Sequence, residues 1–260
     1  MPGLRREEVA LLAGISIEYY TRLERGNARG VSDEVLEALA RALQLDEVER
    51  AHLIDLVRTA NAARPARRRA TPQRVRPSVQ RLLDSMTGTA AFVRNGRLDV
   101  LSANQLGYAL YAPAFGDPAR PVNLARFIFL DPRSMEFYGD WDGIAHAAVG
   151  SLRAEAGRDP YDRALTDLVG ELSVHSQEFR VRWAAHDVHY YRSGTQPFHH
   201  PLVGDLTLDY DALELPADPG LTIVAYSADR GSPSRQALDL LASWTSTPDQ
   251  APAVTTDTDP

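Results

Sequence analysis

Glu18 and Arg22 stand four residues apart in the segment Ile17–Arg25, so on a helix they share one face. With Ile17 they make a small surface suited to nucleic-acid base edges. An arginine can hold a guanine bidentately, and a carboxylate can accept from a cytosine amino group. Arg5 and Arg6, just upstream, are placed to reach phosphates, as are Tyr19, Arg25 and Arg29. The second concentration of chemistry-bearing residues is histidine, at 186, 189, 199 and 200. His186-Asp187-Val188-His189 binds a metal if its side chains converge. However, no Glu lies between the two histidines as a zincin helix requires, and a strand would turn 186 and 189 to opposite faces. There is no Gly-x-Ser-x-Gly, no phosphate-cradling Gly loop and no dinucleotide fingerprint, and no nucleophile stands with a base. The expectation is therefore no enzyme and no cofactor, with a His-based metal enzyme as the minor alternative.

The elements that must position Glu18 and Arg22 are legible. Arg5–Ala13 reads as a short helix with Val9, Leu12 and Ala13 at helical spacing. Gly14 can take the positive φ of a tight turn. Ser16 caps the second helix, Ile17–Arg25, and is counted with its DNA-facing surface. Ala10 is small where two steeply crossing helices touch, and Val9, Ala13, Ile15, Tyr20 and Leu23 supply a shared core. The outer face of the second helix stays polar, as entry into a major groove requires. Ser32–Leu43 and Asp46–Ala60 follow as two more helices. Together these signals describe a helix-turn-helix.

Charge is distributed unevenly. The formal net charge of the chain is −7, yet residues 1–76 hold 14 Arg against 11 acids, whereas the remainder holds 14 Arg against 24 acids. Such a split fits a nucleic-acid partner for the first part. Cysteine is absent, which excludes disulfides and thiolate metal sites. With no long apolar run and no signal-peptide pattern, neither a membrane partner nor export is expected, and the cytoplasm is the expected compartment.

The expected organisation is a helix-turn-helix domain over 1–62, a basic linker over 63–77 built around Arg64-Pro65-Ala66-Arg67-Arg68-Arg69, a mixed α/β domain over 78–243 and a disordered tail over 244–260. Within the third segment, helices are predicted over Val79–Met86, Asn104–Tyr111, Leu124–Phe129, Asp142–Ala156, Arg163–His175, Glu178–Ala185 and Ser234–Ser243. A hairpin over Ala90–Val93 and Leu98–Ala103 turns at Asn95-Gly96. Further strands are predicted over Val188–Ser193, Leu206–Tyr210, Leu213–Leu215 and Leu221–Ser227.

Pro2-Gly3-Leu4-Arg5-Arg6-Glu7-Glu8-Val9-Ala10, Ala13-Gly14-Ile15-Ser16 and Tyr19-Tyr20-Thr21-Arg22-Leu23-Glu24-Arg25-Gly26 resemble the xenobiotic-response-element type of helix-turn-helix, and more narrowly the MmyB-like regulators. The resemblance continues through Leu130-Asp131-Pro132, Ala156-Gly157-Arg158-Asp159, Val169-Gly170-Glu171-Leu172-Ser173, His200-Pro201-Leu202-Val203-Gly204, Leu206-Thr207-Leu208-Asp209-Tyr210 and Gly231-Ser232-Pro233-Ser234. It implies an α+β chain: an all-α helix-turn-helix domain followed by a PAS-like sensor domain with an antiparallel sheet, flanking helices and a long-chain fatty acid as ligand. The implied function is a DNA-binding transcriptional regulator, probing double-stranded DNA as a homodimer and modulated by that small apolar ligand. Two departures from the family pattern stand out. Family members begin with a further helix whose basic residue pairs with the glutamate matching Glu24, whereas this chain starts at Met1-Pro2. Glu24 is then either orphaned or paired with another Arg, and apolar faces of the first domain become exposed. A ligand-binding protein that has lost DNA binding is the corresponding alternative. The second departure is Ser102-Ala103-Asn104, where the family often has tryptophan just before the Asn.

A small apolar ligand needs an apolar concavity and one or two polar groups for its head. Leu106, Leu110, Phe127, Ile128, Phe137, Trp141, Phe179 and Trp183 can line it, and Asn104, Tyr108, Arg126, His199 and His200 can hold a carboxylate head. His200 serves either there or as a structural histidine bonding its own turn.

Overall fold

The structure, a computed structural model, describes residues 4–61, 73–116, 122–185 and 192–245. The chain is α+β and divides into two compact units, one of residues 1–72 with 146–190 and the other of 73–145 with 191–260. Most of the basic linker, the His186–His189 segment and the tail beyond 245 lie outside the described residues.

The first unit opens with α1 (Arg6–Leu12) and α2 (Ile17–Glu24). Gly14 turns the chain between them at φ 68°, where a side chain would be strained. The Ile15 N–H reaches back to the Ala10 carbonyl at 3.0 Å, and Ser16 Oγ accepts from the Tyr19 N–H at 3.1 Å, so both facing helix ends are satisfied. α3 (Asp33–Ala42), capped by Ser32, and α4 (Glu47–Asn61) complete the bundle. Val9, Ala13, Leu39 and Ala42 form its centre with Ile15, Tyr20 and Leu23 packed against them, so every core position expected of the motif is used. Leu11 and Leu12 on α1 are 81% and 62% exposed. Most of α9 (Trp141–Arg158), with α10 (Arg163–His175) and α11 (Gln177–Ala185), belongs to this unit as well.

The second unit is built on a five-stranded, wholly antiparallel sheet in the order β2-β1-β5-β4-β3. Its strands are β1 (Ala90–Asn95), β2 (Val100–Ala103), β3 (Ser193–His200), β4 (Gly204–Glu214) and β5 (Leu221–Ser227). Alternation assigns the faces. Ala91, Val93, Leu221 and Ile223 pack against Val79 and Leu83 of α5 (Pro77–Ser85). Phe92, Val224, Tyr226, Leu208, Leu206, Phe198 and His200 point to the other face, as the pairings Phe92↔Val224, Tyr210↔Tyr226 and Phe198↔Leu206 require. The remaining helices are α6 (Gln105–Leu110), α7 (Leu124–Leu130), α8 (Arg133–Phe137) and α12 (Pro233–Thr245).

Two expectations are corrected, and a third, the strand expected over Val188–Ser193, falls mostly outside the described residues; the described strand β3 covers Ser193–His200. Pro197 argues against a strand in sequence, but β3 is an edge strand, where a residue without an N–H is tolerated. The two short strands expected over 206–215 are one strand, β4. The hairpin does turn after Asn95, but through residues 96–99 with Leu98 at φ 66°, and Asn95 Oδ1 holds it by accepting from the N–H groups of Arg97 and Asp99, both at 3.0 Å.

Candidate functional site

The outer face of α2 carries Ile17, Glu18 and Arg22, all exposed. The Arg22 guanidinium carbon lies 4.6 Å from the centre of the Tyr19 ring, which holds it near the helix surface. Arg5, Arg25 and Arg29 are exposed too. Arg6, expected at phosphates, is already committed within the protein: its Nε donates to Glu24 Oε2 at 2.5 Å. Glu24 is therefore paired rather than orphaned, and Arg6 ties α1 to α2. Burial, reinforced by Glu24, pushes the neighbouring Tyr20 phenol up. Ser16 acts as the α2 cap, its Oγ engaged by the Tyr19 N–H.

In the second unit an aromatic cluster covers one face of the sheet. Phe92 from β1, Phe198 from β3 and Tyr226 from β5 meet Tyr111 after α6, Phe127 of α7, and Phe137 and Tyr138 at the end of α8. Neighbouring ring centres stand 5.2 Å apart for Phe92–Tyr111, 5.7 Å for Tyr111–Phe137, 5.2 Å for Phe137–Phe198 and 5.5 Å for Phe198–Tyr226, mostly edge to face. Inside this apolar set are three phenol hydroxyls. Tyr111 Oη lies 2.7 Å from Tyr226 Oη, and the Tyr138 phenol stands beside the pair. Burial raises all three phenols, that of Tyr226 up to about 12, so they are protonated hydrogen-bond donors across the physiological range.

Residues 75–241 match the MmyB-like transcription regulator ligand binding domain, and residues 2–53 match a helix-turn-helix domain. The first match alone spans more than half of the chain. The protein belongs to the MmyB-like transcription regulators. No curated protein is similar enough in sequence to be matched with it. As an MmyB-like regulator it joins a helix-turn-helix DNA-binding domain to a ligand-binding domain, the architecture of a regulator. Among the described residues no helix is long and apolar enough to cross a membrane, and no group of three or more metal-ligating side chains is gathered.

The structure of this MmyB-like regulator sorts the expected ligand-contacting residues. Phe127 joins the aromatic cluster. Trp141 borders it through α8, its Nε1 donating to the Ile128 carbonyl at 3.1 Å and to Ser134 Oγ at 3.2 Å. Phe179 and Trp183 stack on each other at 5.5 Å within the first unit, with Arg153 over the Trp183 ring, so they do not share a unit with the others. Asn104 is a structural node: Oδ1 accepts from the N–H groups of Ala91 (3.0 Å) and Gly107 (2.7 Å), and Nδ2 donates to the carbonyls of Leu83, Met86 and Thr89. Both of its polar atoms are engaged within the fold. Tyr108 is exposed and packs on Phe115. Arg126 is half-buried on α7. His199 and His200 are consecutive on β3 and so point to opposite faces. His199 is on the exposed side, Nδ1 2.6 Å from Asp205 Oδ1. His200 is buried, with Nε2–H donating to the Ala109 carbonyl at 3.1 Å and Nδ1 accepting from the Leu202 N–H at 3.3 Å. It is thus the turn-bonding histidine of the two readings. Sequence reasoning did not single out Phe92, Tyr111, Tyr138, Phe198 or Tyr226. The alternation of Phe92 in β1 and Tyr226 in β5 was the available signal.

His200 carries a pH consequence. Burial holds its imidazole below the usual histidine range. His52 on α4 is lowered likewise, by burial first and then by Arg153 and Arg158, with Asp55 opposing. An unfolded histidine titrates near ~6.5, so just below that pH the unfolded chain binds more protons than the folded one. Stability is therefore full above the unfolded value and falls as the pH drops through it towards the lowered folded values. Thermal unfolding followed by circular dichroism from about pH 7.5 down to about pH 5.5 should show a falling midpoint. His200→Gln should flatten that fall; a midpoint that rises on acidification contradicts the assignment of both rings as neutral.

Proposed function

We propose that the chain is a homodimeric, cytoplasmic regulator that reads paired half-sites in double-stranded DNA through α2. In this reading the sensor region is PAS-like, takes a small apolar ligand, a fatty acid above all, and the bound ligand changes DNA affinity by shifting the population of DNA-binding geometries. No other cofactor and no catalytic step are part of it. The observation that carries the reading is the aromatic cluster with its buried phenols, lodged in the domain whose family binds ligands. The five-stranded antiparallel sheet with helices on it supports the PAS-like frame. The exposed polar face of α2 supports the DNA role. Mass spectrometry of small molecules released from the purified protein tests the ligand: an apolar acid or acyl compound is expected, and a protein that releases none from any expression host contradicts it. For the DNA face, Arg22→Ala should cost about 1–3 kcal/mol of discrimination at one base position while leaving the thermal midpoint unchanged. Binding to single-base variants of a selected duplex reads this directly, and an unaltered base preference removes Arg22 from the contact set.

A further inference from the structure

Two side chains of α2 compete for the Arg22 guanidinium. Glu18 stands one turn before it, in the order and spacing that favour a helical ion pair. Tyr19 stands three residues before it, on the same side of the helix. Among the described residues Arg22 forms no ion pair with Glu18; its guanidinium carbon instead sits over the Tyr19 ring, 4.6 Å from the centre. The ring has a fixed seat, since Tyr19 is half-buried and its backbone N–H donates to Ser16 Oγ at 3.1 Å. The two partners hold an arginine differently. A carboxylate takes the N–H edge of the guanidinium, as Glu24 does with Arg6. A ring face attracts the charge and leaves N–H donors for another acceptor.

We propose that Tyr19 is a positioning residue for base reading: its ring holds the Arg22 fork on the outer face of α2 with donors still available to a base edge. The proposal rests on the reading of α2 as the DNA-facing helix, and it gives Tyr19 a task there other than the phosphate contact expected from its type. A long side chain loses conformational entropy when binding selects one rotamer. A ring beneath the guanidinium narrows the rotamers before binding. Only a duplex with the matching base uses the selected rotamer, so the gain falls on that duplex and sharpens discrimination.

The test uses the full chain, the duplex it selects from a random-sequence pool, and single-base variants of that duplex, all at fixed salt. Arg22→Ala locates the base pair that Arg22 reads. At that pair Tyr19→Ala should lower discrimination about two- to fivefold, the range of one exposed cation–ring contact, with discrimination at the other pairs unchanged. Tyr19→Phe keeps the ring and should keep the discrimination. In the Arg22→Ala background, Tyr19→Ala should have no further effect at that pair. Thermal midpoints report whether the fold is kept; if Tyr19→Ala fails to fold, Tyr19→Leu, which keeps apolar bulk without a ring face, replaces it. Undiminished discrimination in the folded variant overturns the proposal. So does an equal loss in Tyr19→Phe, which assigns the effect to the hydroxyl, and so does a uniform loss over all duplexes, which makes Tyr19 a phosphate contact. In each of these results Arg22 still reads its base pair, and the α2 reading stands. An unaltered base preference in Arg22→Ala, or a pool from which no duplex is enriched, overturns both.

Discussion

Asn104→Ala should destabilise the protein by about 4 kcal/mol, because it leaves two buried N–H groups, those of Ala91 and Gly107, without acceptors at roughly 1–3 kcal/mol each and removes the donor to three carbonyls. That is a large share of the total stability of an ordinary domain, roughly 5–15 kcal/mol. The side chain is buried where α6 begins against β1, and its five bonds join the end of α5, the strand and the first turn of α6. Asn104→Asp should fare little better: a carboxylate can accept the two N–H groups, yet it presents negative charge to the Leu83, Met86 and Thr89 carbonyls. Urea unfolding measures both. A variant of near-native stability that loses only ligand would instead return Asn104 to the head-group role read from sequence.

Gly157→Leu should uncouple DNA affinity from ligand. α9 starts at Trp141 in the second unit and runs into the first, where at Gly157 a Cβ would stand 2.6 Å from Cε1 and 2.8 Å from Nδ1 of His52 on α4, with Leu56 next to them. Arg158 Nε lies 3.9 Å from Asp55 of the same helix. Thus a helix matched to the ligand-binding family packs, at its far end, on the last helix of the DNA-binding bundle. In the proposed function this seam carries the effect of the ligand, for which a coupling of about 1–3 kcal/mol, or roughly 5–150-fold in affinity, is ordinary. A leucine there displaces His52 and opens the seam. The expected result is a loss of most of the ligand-dependent change in DNA affinity, with the affinity of the bundle itself retained, since the atoms nearest the substitution site belong to α4. Undiminished coupling in a folded Gly157→Leu protein contradicts this role.

The first domain was legible because its logic is local. Ser16, Gly14 and Ala10 act on groups within a few residues of themselves, and the core of Val9, Ala13, Ile15, Tyr20 and Leu23 follows from helical spacing. The sheet was legible where strands alternate, as in β1 and β5, and obscure where Pro197 sits in an edge strand. The ligand-contacting residues were the least legible. Side-chain type suggested Asn104 and His200 as head-group partners, but both spend their polar atoms on backbone groups brought together only by the fold, such as the Ala109 carbonyl, 91 residues from His200. The buried phenols of Tyr111, Tyr138 and Tyr226 come from three separate parts of the chain, a convergence no local spacing encodes. The pairing of Arg6 with Glu24 likewise depends on how α1 crosses α2.

The most direct measurement of the central claim is DNA affinity at fixed salt, with and without the ligand released from the protein, on duplexes that the purified chain selects from a random-sequence pool. The account predicts that the selected duplexes carry two half-sites about one helical turn or a multiple of it apart, and that ligand changes their dissociation constant by at least about fivefold. Failure to enrich any duplex contradicts the DNA-binding role of α2, and equal affinities with and without ligand contradict the regulation proposed for the two domains.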